Sequence, residues 1–122
     1  MTRFTMAIPV FHVSSAAAAE EFYCGRLGFR KEFAYSPGDQ VDPCYMGVVR
    51  GGAWLHLSSF PGDSGAWTTA FVIVDDVDAL CAELLEKQVA IDLKPTDQTW
   101  GNREMYVRDA DGNKLAFVRP PK

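Results

Sequence analysis

The chain is poor in the residues that build most metal and redox sites. It holds three cysteines, Cys24, Cys44 and Cys81, and two histidines, His12 and His56. No CxxC pair occurs, which argues against a zinc knuckle or a thioredoxin-like motif. The cysteines read as small buried hydrophobes, and Cys81 falls on an apolar helical stripe. Positive charge is also sparse: 12 Lys and Arg stand against 16 Asp and Glu, for a net charge of −4. The longest basic cluster is Arg30-Lys31, so nucleic acid is not an expected partner. No apolar run is long enough to cross a bilayer. The opening residues, MTRFTMAIPVF, lack the apolar stretch and cleavage site of a signal peptide, so a cytoplasmic location is expected. There is no glycine-rich phosphate loop, no Walker motif and no defensible Ser-His-Asp set. "GDSG", at 62–65, matches a serine-protease string, but the chain is too short for that fold and the segment reads as a turn.

What remains suits one domain with a sizeable core. The 122 residues are 48% hydrophobic and 23% charged, ordinary globular usage. One domain over 1–122 is expected, in two halves of about 5–62 and 63–120. The halves share a layout. "AIPVFHVSSAAAAEEFYCGRLGF" and "TTAFVIVDDVDALCAELLEKQVAI" each give a strand, a polar start signal and a helix. The first helix is expected after Ser15, packing through Ala18, Ala19, Phe22 and Tyr23 and stopping at Gly28. The second is capped by Asp76, with Val77, Leu80, Cys81, Leu84 and Leu85 forming one stripe. Three strands follow each helix: 29–35, 45–50 and 54–58, then 89–93, 104–108 and 114–118. Gly51-Gly52 and Asp111-Gly112 supply tight turns. The plan is βαβββ, twice. It predicts an α+β domain in which a curved mixed sheet, with helices on its outer face, leaves a concave cleft for a small ligand.

One strand poses the functional question. In "GGAWLHLSSF", from Gly51 to Phe60, Ala53, Leu55 and Leu57 share one face. Trp54, His56 and Ser58 share the other. That second face carries an indole, an imidazole and a hydroxyl, which serve a metal, a ligand pocket or a half-buried surface.

The strings "IPVFHV", "EEFYCGRLGF", "YMGVVRGGAWLHLS", "FVIVDDVDAL" and "WGNREMYVRDADGNKLAFV" run in order through nearly the whole chain. Together they resemble the vicinal oxygen chelate superfamily of glyoxalase I and extradiol dioxygenases. Within it they are most similar to the glyoxalase/bleomycin-resistance-like branch. The resemblance implies four metal positions, which fall near Ile8, at His56, near Thr69 and near Ala116. Only His56 is a competent ligand, and one imidazole does not hold a divalent ion. His12 lies more than roughly ten ångströms along the strand from Ile8. No metal or other cofactor is therefore expected. The alternative is a metal-dependent glyoxalase- or dioxygenase-type enzyme of the same fold, with an improvised site of His56, Glu104 and a third donor. An orphan ligand-binding or interaction domain is the third possibility.

The resistance-like proteins are non-catalytic dimers that sequester flat cationic antibiotics in grooves between subunits. Carried over by position, the resemblance implies a ligand site of Glu32, Phe33, Tyr45, Trp54, His56, Ser58, Trp100, Gly101, Arg103, Glu104 and Tyr106. The aromatics would stack on rings and attract a cation, and Glu32 and Glu104 would draw in positive charge. Structural readings stand beside these: Phe33 and Tyr45 as core or dimer packing, Glu104 as a solvated strand residue, Trp67 as a dimer contact. Trp100 ends "KPTDQTW", which reads as a polar loop. Pro9 near the first strand suits an edge, and the resemblance implies N-terminal strand exchange there. "AYSPGDQVDPCY" would lie beside the groove.

Overall fold

Two residues with free side-chain oxygens start the helices. Ser15 accepts from the Ala18 N–H and Asp76 from the Ala79 N–H, each satisfying an amide the helix leaves open. The computed structural model describes all 122 residues. Its elements are β1 (Val10–His12), α1 (Ala16–Glu20), β2 (Arg30–Tyr35), β3 (Tyr45–Arg50), β4 (Ala53–Ser58), β5 (Thr69–Ile73), α2 (Val77–Glu86), β6 (Leu93–Asp97), β7 (Arg103–Arg108) and β8 (Lys114–Arg119). No helix is long and apolar enough to cross a membrane.

The strands form two four-stranded mixed sheets, ordered β1-β4-β3-β2 and β5-β8-β7-β6. In each, the strand before the helix pairs in parallel with the last strand of its half. Val10 sits opposite His56 and Phe71 opposite Ala116. The two halves are thus built alike, as the repeated layout predicts. One face of each sheet meets a shared core, in which Phe11, Leu55, Leu57 and Tyr23 of the first half join Met105, Leu115, Phe117 and Leu84 of the second. The other face of each sheet is only partly covered: Ser58 and Glu104 are buried on it, while Phe33 and Phe71 are exposed.

Polar contacts stitch the halves together. The buried Tyr23 hydroxyl donates to Asp109 at 2.8 Å, and Asn113 donates to the His12 carbonyl at 2.8 Å. Both partners belong to the Asp109–Asn113 turn, whose Asp111 also accepts from the Ser14 N–H. Burial, with Asp109 alongside, pushes the Tyr23 phenol far above its ordinary pKa. Arg50 grips Glu83 of α2 with two nitrogens, at 2.8 and 2.9 Å, and donates to the Leu27 carbonyl. A forked pair of this kind fixes orientation as well as charge.

Three local expectations change. After Glu20 the chain continues as a π-helical turn, Glu21–Arg26, and Leu27 N–H reaches back five residues to Phe22. The Glu21–Arg26 ion pair, 3.1 Å, spans the same five residues. The buried face of the whole segment is Ala16, Ala19 and Tyr23, and Ala18 is exposed. Val89–Leu93 is not a strand. The sixth strand lies later, over Leu93–Asp97, so most of the polar "KPTDQTW" segment is sheet. It is an edge strand with a register shift between Leu93 and Thr96, where Pro95 and polar side chains are tolerated. On α2, Leu85 leaves the expected apolar stripe and points to solvent, while Val77, Cys81 and Leu84 are buried.

Candidate functional site

Alternation on β3 and β4 assembles the first aromatic group. Tyr45 pairs with Ser58, Gly47 with His56 and Val49 with Trp54, all on the face turned away from the core. Gly47 has no side chain, and the Phe33 ring from β2 fills that gap. A Cβ at Gly47 would lie 2.3 Å from Phe33 Cε1. Phe33 then stacks beside Tyr45, with centroids 6.3 Å apart, and meets His56 edge-on at 5.4 Å. The Tyr45 oxygen lies 2.8 Å from His56 Nδ1. Burial lowers the His56 pKa, so the neutral imidazole is favoured. Burial also raises the Tyr45 pKa, with Asp63 adding to the effect. With Tyr45 as donor, the imidazole proton sits on Nε2. Phe33 keeps 42% of its surface exposed, so the group is a half-open wall.

The second group lies on β7 and the turn before it. Gly101, at φ 100°, closes a tight turn in which its N–H reaches the Gln98 carbonyl. Glu104 is buried, and its oxygens accept from the Tyr106 hydroxyl at 2.6 Å, Trp100 Nε1 at 2.9 Å and Asn102 Nδ2 at 3.1 Å. Burial by itself would raise the Glu104 pKa. The hydrogen bonds from Tyr106, Trp100 and Asn102, with the charge of Lys114, hold it below the ordinary value instead. Lys114 Nζ sits 4.2 Å from the centre of the Tyr106 ring. Trp100 is 61% exposed.

The remaining candidates are placed differently. Ser58 is fully buried and donates to Asp63 at 2.8 Å. Glu32, on the exposed β2, accepts two bonds from Arg30. Arg103 points to the opposite face of β7 from Glu104, where it pairs with Asp78 of α2 and with Asp97. Those bonds to Asp78 and Asp97 raise its pKa and lower that of Asp78. It is therefore separated from Glu104 and Tyr106. Glu104 itself is no solvated strand residue. Both of its oxygens are engaged within the protein. Trp67 lies against Gly112 with its indole largely exposed. Asn102, Lys114 and Gly47 were not among the sequence candidates.

A concavity of about 780 Å³ opens between the halves, lined among others by Pro9, Trp54, Phe71, Ile73, Asp75 and Glu83. Of the candidate residues only Trp54 borders it. Phe71 and Ile73, on the open face of β5, are each 60% exposed. "AYSPGDQVDPCY" is anchored rather than loose: Asp42 accepts from the Ala16 N–H and from the Ser59 hydroxyl.

The donor set does not suit a divalent metal. His56 and Ala116 occupy equivalent places on β4 and β8, each opposite the strand that precedes the helix. Ile8 and Ala116 offer no donor atom. No group of three or more His, Cys, Asp or Glu side chains is arranged to hold an ion.

The Glyoxalase/Bleomycin resistance protein/Dioxygenase superfamily model matches residues 6–117. No curated protein sequence matches the chain. Among solved structures, the bleomycin-binding protein of bleomycin-producing Streptomyces verticillus, complexed with copper(II)-bleomycin, is 30% identical over 100% of both chains, with a TM-score of 0.73. The antibiotic-binding protein TnmS3 of Streptomyces sp. CB03234 is 29% identical, covering 98% of this chain and 99% of that one, with a TM-score of 0.71. A bleomycin resistance determinant encoded on transposon Tn5 shares the fold at a TM-score of 0.78 and 22% identity, over 96% of this chain and 98% of that one. Both modules, their order and nearly their full length are accounted for, and the chain belongs to the glyoxalase/bleomycin resistance protein/dioxygenase superfamily.

Proposed function

We propose that this protein binds a flat, cationic aromatic ligand of the bleomycin class and holds it without chemical change. One observation carries the reading. Each open sheet face presents oriented aromatic side chains, Phe33, Tyr45 and His56 on one and Trp100 and Tyr106 on the other, while the matching metal positions hold Ile8, Thr69 and Ala116. Aromatic faces stack on heteroaromatic rings and attract cations. The two similar proteins that bind bleomycin or another antibiotic support the reading. The net charge of −4 also favours approach of a cation.

A second copy completes the groove in this proposal. The open faces leave Phe71 and Ile73 exposed on β5, and Phe4 and Met6 exposed ahead of β1, an arrangement suited to burial against a partner. The proposed N-terminal strand exchange turns at Pro9, beside edge strand β1. Light scattering during size-exclusion chromatography should give a dimer at micromolar concentration, and a monomer would remove the groove. Calorimetry of bleomycin and of unrelated aromatic cations tests the ligand class. Saturable bleomycin binding is expected, and its absence with binding of a neutral aromatic would overturn the choice of class.

A further inference from the structure

Glu104 is the one charged side chain in the buried set, at 2% exposure. A buried carboxylate is tolerated where donors replace its water. Here Tyr106, Trp100 and Asn102 do so, at 2.6, 2.9 and 3.1 Å. Two roles compete for such a group. As a hook for a ligand cation it would need an oxygen exposed to the groove, and the side chain is buried. As a staple for the β6–β7 turn it needs only donors, and Asn102 with Tyr106 would serve. Neither role explains why one donor is an indole that remains 61% exposed.

An exposed tryptophan ordinarily samples several rotamers. Tying Nε1 to Glu104 selects one, fixes one ring edge and leaves the ring face open. The bond is charge-assisted, so it is stronger than a neutral one. It also pushes electron density into the ring, whose negative face is what attracts a cation. The neighbouring Tyr106 ring already carries the Lys114 ammonium over it, 4.2 Å from its centre. One face of the Tyr106 ring is thus taken by an internal cation, while Trp100 stays exposed.

The geometry points to Glu104 as a positioning residue that holds Trp100 as a pre-oriented, electron-enriched platform for the cationic ring system of the ligand, without touching the ligand itself. The inference rests on the ligand class proposed above. It makes Trp100 the contact and Glu104 the cause of its orientation.

The test combines indole ¹⁵N NMR with calorimetry of metal-free bleomycin and of proflavine, on the full chain. In the wild type the Trp100 Nε1–H should resonate downfield and exchange slowly with solvent. In Glu104→Gln it should move upfield and exchange faster. Bleomycin affinity should fall about two- to fivefold in that variant, the size of an exposed cation–π contact. Trp100→Phe should weaken binding as well, and the double variant should lose no more than Trp100→Phe alone. A merely structural carboxylate would leave the indole signal in place or give additive losses, and either result overturns the role. Should Glu104→Gln not fold, Glu104→Asp, which keeps the charge but withdraws the oxygens, is read the same way. Wild-type protein that binds neither probe sinks the ligand reading and this role with it. Wild-type binding with an unaffected Glu104 variant sinks the positioning role alone.

Discussion

Replacing Gly47 with alanine should uncouple ligand binding from fold stability. The new Cβ would stand 2.3 Å from Phe33 Cε1 and 2.9 Å from Cδ1 and Cζ, against about 3.5–4.0 Å for carbon contacts at rest. The ring must give way. It belongs to β2, an edge strand with a register shift between Lys31 and Phe33, so it can swing outward without breaking the sheet. That motion forfeits its contacts with Tyr45 and His56, each worth roughly 0.5–1.5 kcal/mol. Alanine in a strand interior returns roughly 0.5–1 kcal/mol relative to glycine. The net loss of stability is then about 0–2.5 kcal/mol, a melting shift of at most about ten degrees. Loss of an aromatic wall from a stacking site costs roughly 1–3 kcal/mol of binding, about ten- to a hundredfold in Kd. Urea unfolding and bleomycin calorimetry on one preparation separate the two effects. Gly47→Ala with Phe33→Ala should bind no worse than Phe33→Ala alone. A Gly47→Ala protein that binds like wild type would refute the placement of Phe33 in the ligand wall.

Three other outcomes follow from the same structure. Tyr23→Phe leaves Asp109 without its phenolic donor and should cost about 1–3 kcal/mol in urea unfolding; a change under about 0.5 kcal/mol would mean the halves are not joined through this bond. The folded His56 pKa lies below the ordinary 6.5 because of burial, so its neutral form contributes stability that is present above pH 6.5 and is lost as pH falls through the folded value. Melting temperatures between pH 8 and 5 should fall less steeply for His56→Gln than for wild type, and parallel curves would contradict this. Affinity for a cationic ligand should weaken with added salt as the screening length shrinks, to about 8 Å at physiological ionic strength, and a Kd that ignores salt would exclude electrostatic attraction by the −4 charge.

The fold was legible where residue period and caps agree. Alternation along β4 separated Leu55 and Leu57 from Trp54 and His56, and the structure buries the two leucines in the core. Asp76 and the apolar spacing after it gave α2. The edge strand β6 was hidden because it has no buried face: after Leu93 its residues are polar save for Pro95 in their midst. The π-helical turn was hidden because a helix signal does not reveal a change of pitch. In the site, Arg103 was grouped with Glu104 and Tyr106, although parity on one strand sets it on the other face. The same parity was the available signal for the missed Asn102. Trp100, Asn102, Glu104 and Tyr106 are alternate residues, and three of them converge on the fourth. Lys114 and Gly47 belong to other strands, and their roles depend on register, which a single sequence does not state.

The central claim is stoichiometric holding of an antibiotic rather than its conversion. It is tested most directly by titrating metal-free bleomycin with the purified protein, then releasing the drug by denaturation and measuring its mass. The account predicts saturation at about one drug per chain and recovery of unaltered bleomycin after prolonged incubation with excess drug. Drug of changed mass in amounts exceeding the protein, or no saturable binding at all, would contradict it.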